Sequence, residues 1–250
     1  MRTLLDVRGL RKVFRPAGWR AAPMVALHDV DLAVEPGEVV GLIGESGCGK
    51  TTLVRTALGL LPRDGGTVRV VGVDPQIDPR RVRRQAQLLL QDPGASLNPG
   101  LRVRAILSES TRVHRPGQHE TIDAALARVD LTHRADAFPH ELSGGEKRRV
   151  TLAQLWIADP LLTVADEPTA GLDAARKAEL LDLLLATRTP DRGFLLISHD
   201  LPLILYACTR VLVMAGGRFV DAFTPPSLTA GVRHPVTCSL LRASGMDLGR

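Results

Sequence analysis

With 250 residues, 44% of them hydrophobic, the chain can bury a sizeable core without disulfides or a structural metal. Its three cysteines, Cys48, Cys208 and Cys238, lie far apart with no CxxC spacing, which argues against a zinc or iron–sulfur site and fits a reducing compartment. A formal charge of +5 and a pI near 9.6 raise nucleic acid or an anionic membrane as partners, yet the arginines carry no interleaved aromatics to stack bases.

Met1 to Asp6 lacks the apolar run and small-residue cleavage site of a signal peptide, so an unexported chain is expected. Residues 4–8 and 25–34 read as strands before a Pro36-Gly37 turn, and Val39 to Ile43 as a buried apolar strand. Gly44 to Gly49 is a glycine-rich loop, followed by a helix from Thr51 to Leu61 that Pro62 stops. Strands follow at Thr67 to Val73 and Leu88 to Gln91; between them Arg80, Arg81, Arg83 and Arg84 read as a solvated face. From about Asp92 to Leu142 helical patterns replace strands, at Val103 to Val113 and Glu120 to Val129, with Pro and Gly at their ends. A helix at Gly144 to Ala158, a strand at Leu161 to Ala165, a helix at Ala174 to Thr187 and a strand at Phe194 to Ser198 resume the alternation.

The apolar stretch from Phe194 to Gly217 is broken by His199, Asp200 and Arg210, so it reads as strand, helix, strand and not as a membrane span of ~18–20 residues. No period of ~20–50 residues repeats. The pattern predicts a wound α/β core over residues 1–91 and 143–232, an inserted helical lobe over 92–142 and a short tail over 233–250.

Gly44-Glu45-Ser46-Gly47-Cys48-Gly49-Lys50-Thr51, with Thr52 behind it, matches the phosphate-loop pattern G-x-x-x-x-G-K-[ST] between an apolar strand and a helix. Glycines let backbone N–H groups turn inward on an oxyanion, and the helix N-terminus adds partial positive charge. Lys50 is placed to reach β- and γ-phosphates, and the Thr51 hydroxyl to coordinate Mg²⁺. Downstream, the apolar strand from Leu161 to Ala165 ends in Asp166-Glu167. Alone, such an acid pair would read as a strand-end cap. Beside a phosphate loop, Asp166 suits a metal, and Glu167, pointing the other way, suits a base that takes a proton from water.

Between these motifs lies Leu142-Ser143-Gly144-Gly145-Glu146, which resembles the LSGGQ signature of ATP-binding-cassette (ABC) ATPases. Other family elements occur in the family's order: Gln91 as the Q-loop, Ala170-Gly171-Leu172-Asp173 as the D-loop and His199 as the H-switch, with Phe14 where an aromatic stacks on adenine. The resemblance covers nearly the whole chain. It implies an α/β fold with a RecA-like P-loop core, an N-terminal antiparallel β subdomain and an inserted α-helical subdomain. It also implies ATP and Mg²⁺ as ligands, catalytic roles for Glu167, His199 and Gln91, a metal contact from Gln91, and nucleotide contacts from Ser143, Gly144, Gly145, Glu146 and Asp173.

Gln91-Asp92-Pro93 running into Ser96-Leu97-Asn98-Pro99, and His234-Pro235-Val236-Thr237 before Leu240-Leu241, resemble segments of peptide and nickel importer ATPases. The chain stops without the cysteine cluster of some longer members. The resemblance therefore implies the ATP-hydrolysing subunit of an importer of peptide, nickel or a metal chelate, peripheral to the cytoplasmic face of the membrane. Its implied partners are a second ATPase subunit (itself or a sibling), permease subunits and, indirectly, a solute-binding protein, with no nucleic acid. The competing expectation is a non-transport ABC ATPase, such as an accessory subunit of a carbon–phosphorus-cleaving complex.

The signature departs from the family at Glu146, where Gln is usual. Ser143-x-x-Glu146 is also a capping box, and the two glycines inside it weaken a first helical turn while letting N–H groups approach a phosphate. At ~8 Å and an effective dielectric of ~20, Glu146 would repel one phosphate charge by about 2 kcal/mol. Capping geometry and the neighbours Lys147, Arg148 and Arg149 are expected to reduce this. Gln154, where the family often has Arg, is expected to be a packing or surface change.

Overall fold

The computed structural model describes residues 2–15, 22–114, 122–228 and 234–246. The helix start expected at Glu120, Arg233 and the tail's end at 247–250 lie outside these described residues. In chain order the elements are β1 (Leu5–Phe14), β2 (Met24–Val34), β3 (Val39–Gly44), α1 (Lys50–Ala57), β4 (Gly65–Val70), α2 (Pro79–Gln85), β5 (Ala86–Leu89), α3 (Val103–His114) and α4 (Ile122–Arg128). Then come α5 (Gly144–Ala158), β6 (Leu162–Asp166), α6 (Ala174–Leu185), β7 (Gly193–Ile197), α7 (Leu201–Ala207), β8 (Arg210–Ala215), β9 (Arg218–Phe223) and α8 (Pro235–Ala243).

Two sheets form. An antiparallel sheet has the order β2-β1-β4, and a six-stranded sheet the order β5-β6-β7-β3-β8-β9, parallel except for the β8–β9 hairpin. β3, β6 and β7 are buried along their whole length, which explains why they read as unbroken apolar runs. Successive side chains nevertheless alternate between two cores. Val39 and Ile43 of β3, with Phe194 and Leu196 of β7, face α5, α6 and α7 in a core that continues into α3 and α4. Val40 and Leu42, with Leu195 and Ile197, face α1 and the antiparallel sheet. Because β5, β6, β7 and β3 run parallel, the loops that follow them gather along one edge, where open α/β sheets bind ligands.

Several elements differ from the sequence reading. β1 runs on to Phe14, six residues beyond the expected end, through register shifts against β2. α1 stops at Ala57, where Gly59 adopts a left-handed turn (φ 73°) pressed against Pro75. The arginine cluster forms a helix, α2, capped by Asp78 accepting from the Arg81 amide with Pro79 in its first turn; only Val82 is buried, and the four arginines are exposed. β5 ends at Leu89, so Gln91 sits in the loop beyond it. The tail contains α8, whose buried Thr237 donates to Asp221 of β9 (2.8 Å) and whose Leu241 enters the core. Among the described residues no helix is long and apolar enough to cross a membrane.

Candidate functional site

At the end of β3 the chain turns through Gly44, where an added Cβ would lie 2.2 Å from the Met214 carbonyl oxygen, so only glycine lets the loop pass so close to β8. Gly49 (φ 113°) then opens α1. The Lys50 ammonium lies across the loop, donating to the carbonyls of Gly44 (2.7 Å) and Glu45 (2.9 Å). The turn between β8 and β9 braces the loop from behind: the Gly217 amide donates to the Cys48 carbonyl, and the His28 amide of β2 to the Gly217 carbonyl (2.9 Å each).

The Thr51 hydroxyl donates to Asp166 Oδ2 at 3.0 Å, joining the first turn of α1 to the end of β6. Burial pushes the Asp166 carboxyl above the ordinary aspartate value; the Thr51 bond opposes that rise, and the neighbouring Glu167 charge adds to it. A hydroxyl and a buried carboxylate converging on an open cleft match the hard oxygen donors that Mg²⁺ prefers. Glu167 lies just past the strand with φ 50°, left-handed for a non-glycine residue. Its carboxylate accepts from the His199 amide (3.0 Å) and the Ser198 hydroxyl (3.4 Å), and the His199 ring Nδ1 lies 2.9 Å away. The His199 side chain remains 72% exposed.

A cleft of about 520 Å³ collects Phe14, the phosphate loop from Ser46 to Thr52, Gln91, Asp166, Glu167 and His199. Phe14 and Met24 face each other across the β1–β2 pair at its rim. The buried Lys12 ammonium, ion-paired with Asp64 (3.0 Å), lies 5.5 Å from the Phe14 ring centroid. Ser143, Gly144, Gly145 and Glu146 are not in this cleft. They line another, of about 530 Å³, with Gly171 and Leu172. Asp173, beside it, caps α6 by accepting from the Arg176 amide. One chain thus holds the phosphate loop and the signature in different clefts, with Gln91 and Gly144 lining a groove between them and Gly44, Glu45 and Asp173 lining neither cleft.

A model of the ABC transporter family matches residues 27–170, more than half of the sequence. The chain belongs to the ABC transporter family. As an ABC ATPase it binds and hydrolyses ATP. A peptide import ATP-binding protein of Brucella melitensis is 38% identical to this ABC ATPase over 263 residues, covering 96% of this chain and 77% of that protein. Another such protein, from Brucella ovis, is 37% identical and covers 96% and 78%. Among solved structures, an ATP-binding subunit of an ABC transporter aligns with a TM-score of 0.81 at 26% identity over 97% of this chain and 99% of that one. The cbiO1 protein of Clostridium perfringens, part of the cbiONQ transporter complex, aligns at 0.76 with 25% identity, covering 92% of each chain.

In this ABC ATPase the signature opens α5 as a complete capping box. The Ser143 hydroxyl accepts from the Glu146 amide (3.2 Å), and Glu146 Oε2 accepts from the Ser143 amide (2.8 Å). The Ser143 amide, the Ser143 hydroxyl and the Arg134 guanidinium, which donates to Oε1 at 2.8 Å, lower the Glu146 carboxyl pKa to about 2. Of the sequence neighbours expected to screen it, Arg148 donates to the Ala170 carbonyl and Arg149 pairs with Glu179; both line the same cleft as Glu146, but the ion pair to it comes from Arg134. Arg134, distant in sequence, carried no motif that would flag it. Ser198 and Lys177, whose ammonium pairs with Asp200 beside His199 at 2.6 Å, were equally unmarked. The β8–β9 turn did carry a signal, Gly216-Gly217 between two apolar runs. Gln154 reaches Ser110 of α3 (3.4 Å), which makes it a packing contact between helices.

Proposed function

We propose that the chain powers a peptide importer as one of two ATPase subunits held against a membrane permease, at the cytoplasmic face. The observation that carries this reading is the separation of the signature from the phosphate loop within one chain, combined with open space around Gly144 and Gly145. A Cβ at either glycine would meet nothing within 4 Å, so packing inside the chain gives no steric reason for glycine there. In addition, the Gly144 and Gly145 amides have no hydrogen-bond partner among the described residues. Two unpartnered N–H groups at a helix start, beside a serine hydroxyl, suit the phosphates of an ATP held by a facing subunit.

In that arrangement Phe14 stacks on adenine, while the amides of Gly44 to Thr52 and the Lys50 ammonium hold the phosphates. Thr51 and Asp166, with Gln91 across the cleft, would hold Mg²⁺, which when bound offsets phosphate charge. Glu167, fixed by Ser198 and His199, accepts the proton of the attacking water, and the exposed His199 ring reaches toward the terminal phosphate. Ser143, Gly144, Gly145 and the loop through Asp173 complete the partner's site, so ATP closes the pair and hydrolysis reopens it. Gln91 and the described residues of the 92–142 segment would present the face on which a permease pulls.

Peptide as cargo is supported by the names of relatives 37–38% identical and by the Gln91–Pro99 and His234–Leu241 segments, which nickel importers share. Affinity purification of the tagged chain from membranes tests the assignment. It should recover permease subunits together with a second ATPase copy or sibling, and peptide with its binding protein should raise the ATPase rate of that complex. Recovery only with non-transport enzymes overturns the transport assignment, and stimulation by nickel instead of peptide overturns the cargo.

A further inference from the structure

Glu146 puts a carboxylate within the segment that the proposed function places against a partner's triphosphate. Arg134 lies twelve residues upstream, after α4, in a short turn spanning Thr132–Arg134. Its Nε donates to Glu146 Oε1 at 2.8 Å, while the carboxylate's other oxygen holds the Ser143 amide. The Glu146 side chain is 20% exposed and Arg134 40%, so the pair sits at the protein surface and not in the core. Arg148 and Arg149 are turned toward Ala170 and Glu179, which leaves Arg134 as the cation in contact with Glu146 among the described residues.

We propose that Arg134 is a positioning residue for the nucleotide site shared between subunits, neutralising Glu146 and holding it in the capping box so that an acidic signature accepts a triphosphate. The inference rests on the proposed reading of Ser143 to Glu146 as the trans-acting half of that site. It adds a requirement that the signature segment alone does not state: in this chain the functional unit is Arg134 plus the signature, and the two are joined by charge. Removing the guanidinium leaves a carboxylate still bonded to the Ser143 amide but without its ion-pair partner. Removing both charges leaves a neutral, glutamine-type cap.

The test is ATP-driven dimerisation of the full-length chain, followed by light scattering in a Glu167→Gln background to slow hydrolysis. Arg134→Ala should raise the ATP concentration needed for half-dimerisation roughly tenfold at low salt. The defect should shrink at about 1 M salt, where screening reaches ~3 Å. Arg134→Ala combined with Glu146→Gln should return to within about twofold of Glu146→Gln alone, because the two groups act as a pair. Arg134→Lys, which keeps the charge and guards against misfolding, should recover most of the parent behaviour. An equal loss from Arg134→Ala in both the Glu146 and the Glu146→Gln backgrounds, or no loss in either, overturns the proposal. Failure of the parent to dimerise with ATP, both alone and when mixed with a sibling ATPase recovered from the membrane complex, is a different result: it overturns the trans reading of the signature on which the proposal stands.

Discussion

Glu167 is held by the Ser198 hydroxyl, the His199 amide and the His199 ring, so its carboxylate is aimed before any water arrives. Glu167→Gln keeps the shape and removes the carboxylate that the proposed function makes the proton acceptor. Turnover should fall by ~10²–10⁴ while ATP binding is retained, measured by steady-state hydrolysis beside equilibrium nucleotide titration. Wild-type turnover in that variant would remove Glu167 from the role. Glu146 makes a prediction of a different kind. Its folded value, about 2, lies below the ordinary 4.5, so its ionised form stabilises the fold fully above about pH 4.5, and that contribution fades as pH falls toward 2. Glu146→Gln should therefore flatten the loss of thermal midpoint across that window; an unchanged acid profile would contradict the bonding described for the carboxylate.

At the scale of elements, α5 shows a fold giving up helix stability at its first turn. Gly144 and Gly145 sit in open space with no Cβ clash to avoid, yet each is a poor helix former. Gly145→Ala should stabilise the isolated chain by about 0.5 kcal/mol in denaturant unfolding while weakening ATP-driven dimerisation. A variant that is both more stable and fully dimerising would mean the glycines serve no partner. Elements whose signal is local were legible in the sequence: α5 has the bounds expected of it, starting at its capping box, and β3, β6 and β7 fall on their apolar runs to within a residue. Elements whose signal is tertiary were not. α2 carries four arginines and one buried valine, so its helix rests on the Asp78 cap and Pro79 without an apolar stripe. α8 is fixed by Thr237 reaching Asp221 on β9, a contact invisible until both are folded. Within the site the motif residues were readable because chemistry fixes their spacing. Arg134 and Ser198 were not, because they bond Glu146 and Glu167 across the fold, nor was Lys177, which pairs with Asp200 beside His199.

At the scale of the molecule, one chain presents a phosphate-loop cleft and a signature cleft with different linings, bridged by a groove that Gln91 and Gly144 share. If chains pair head to tail as copies, inactive variants should complement one another. A Lys50→Ala chain keeps a sound signature, and a Ser143→Ala chain keeps a sound phosphate loop. Mixed, they assemble one intact site per mixed dimer, so hydrolysis should reappear well above either variant alone. A mixture as inactive as its components would exclude pairing between copies as the source of activity.

The left-handed peptide at Glu167 bears on how two adjacent acids come to share one workplace. On a regular strand, neighbours straddle the sheet, one carboxylate on each side. The sequence reading points Glu167 the other way; instead a mirror-image twist, which costs a non-glycine residue roughly 1–2 kcal/mol, brings both acids into one cleft. Asp166 is thereby left to the Thr51 side and Glu167 to the His199 side. Ser198 and His199 hold the carboxylate in that place, so loosening their grip is expected to let the backbone relax and carry Glu167 away while leaving Thr51 and Asp166 where they are.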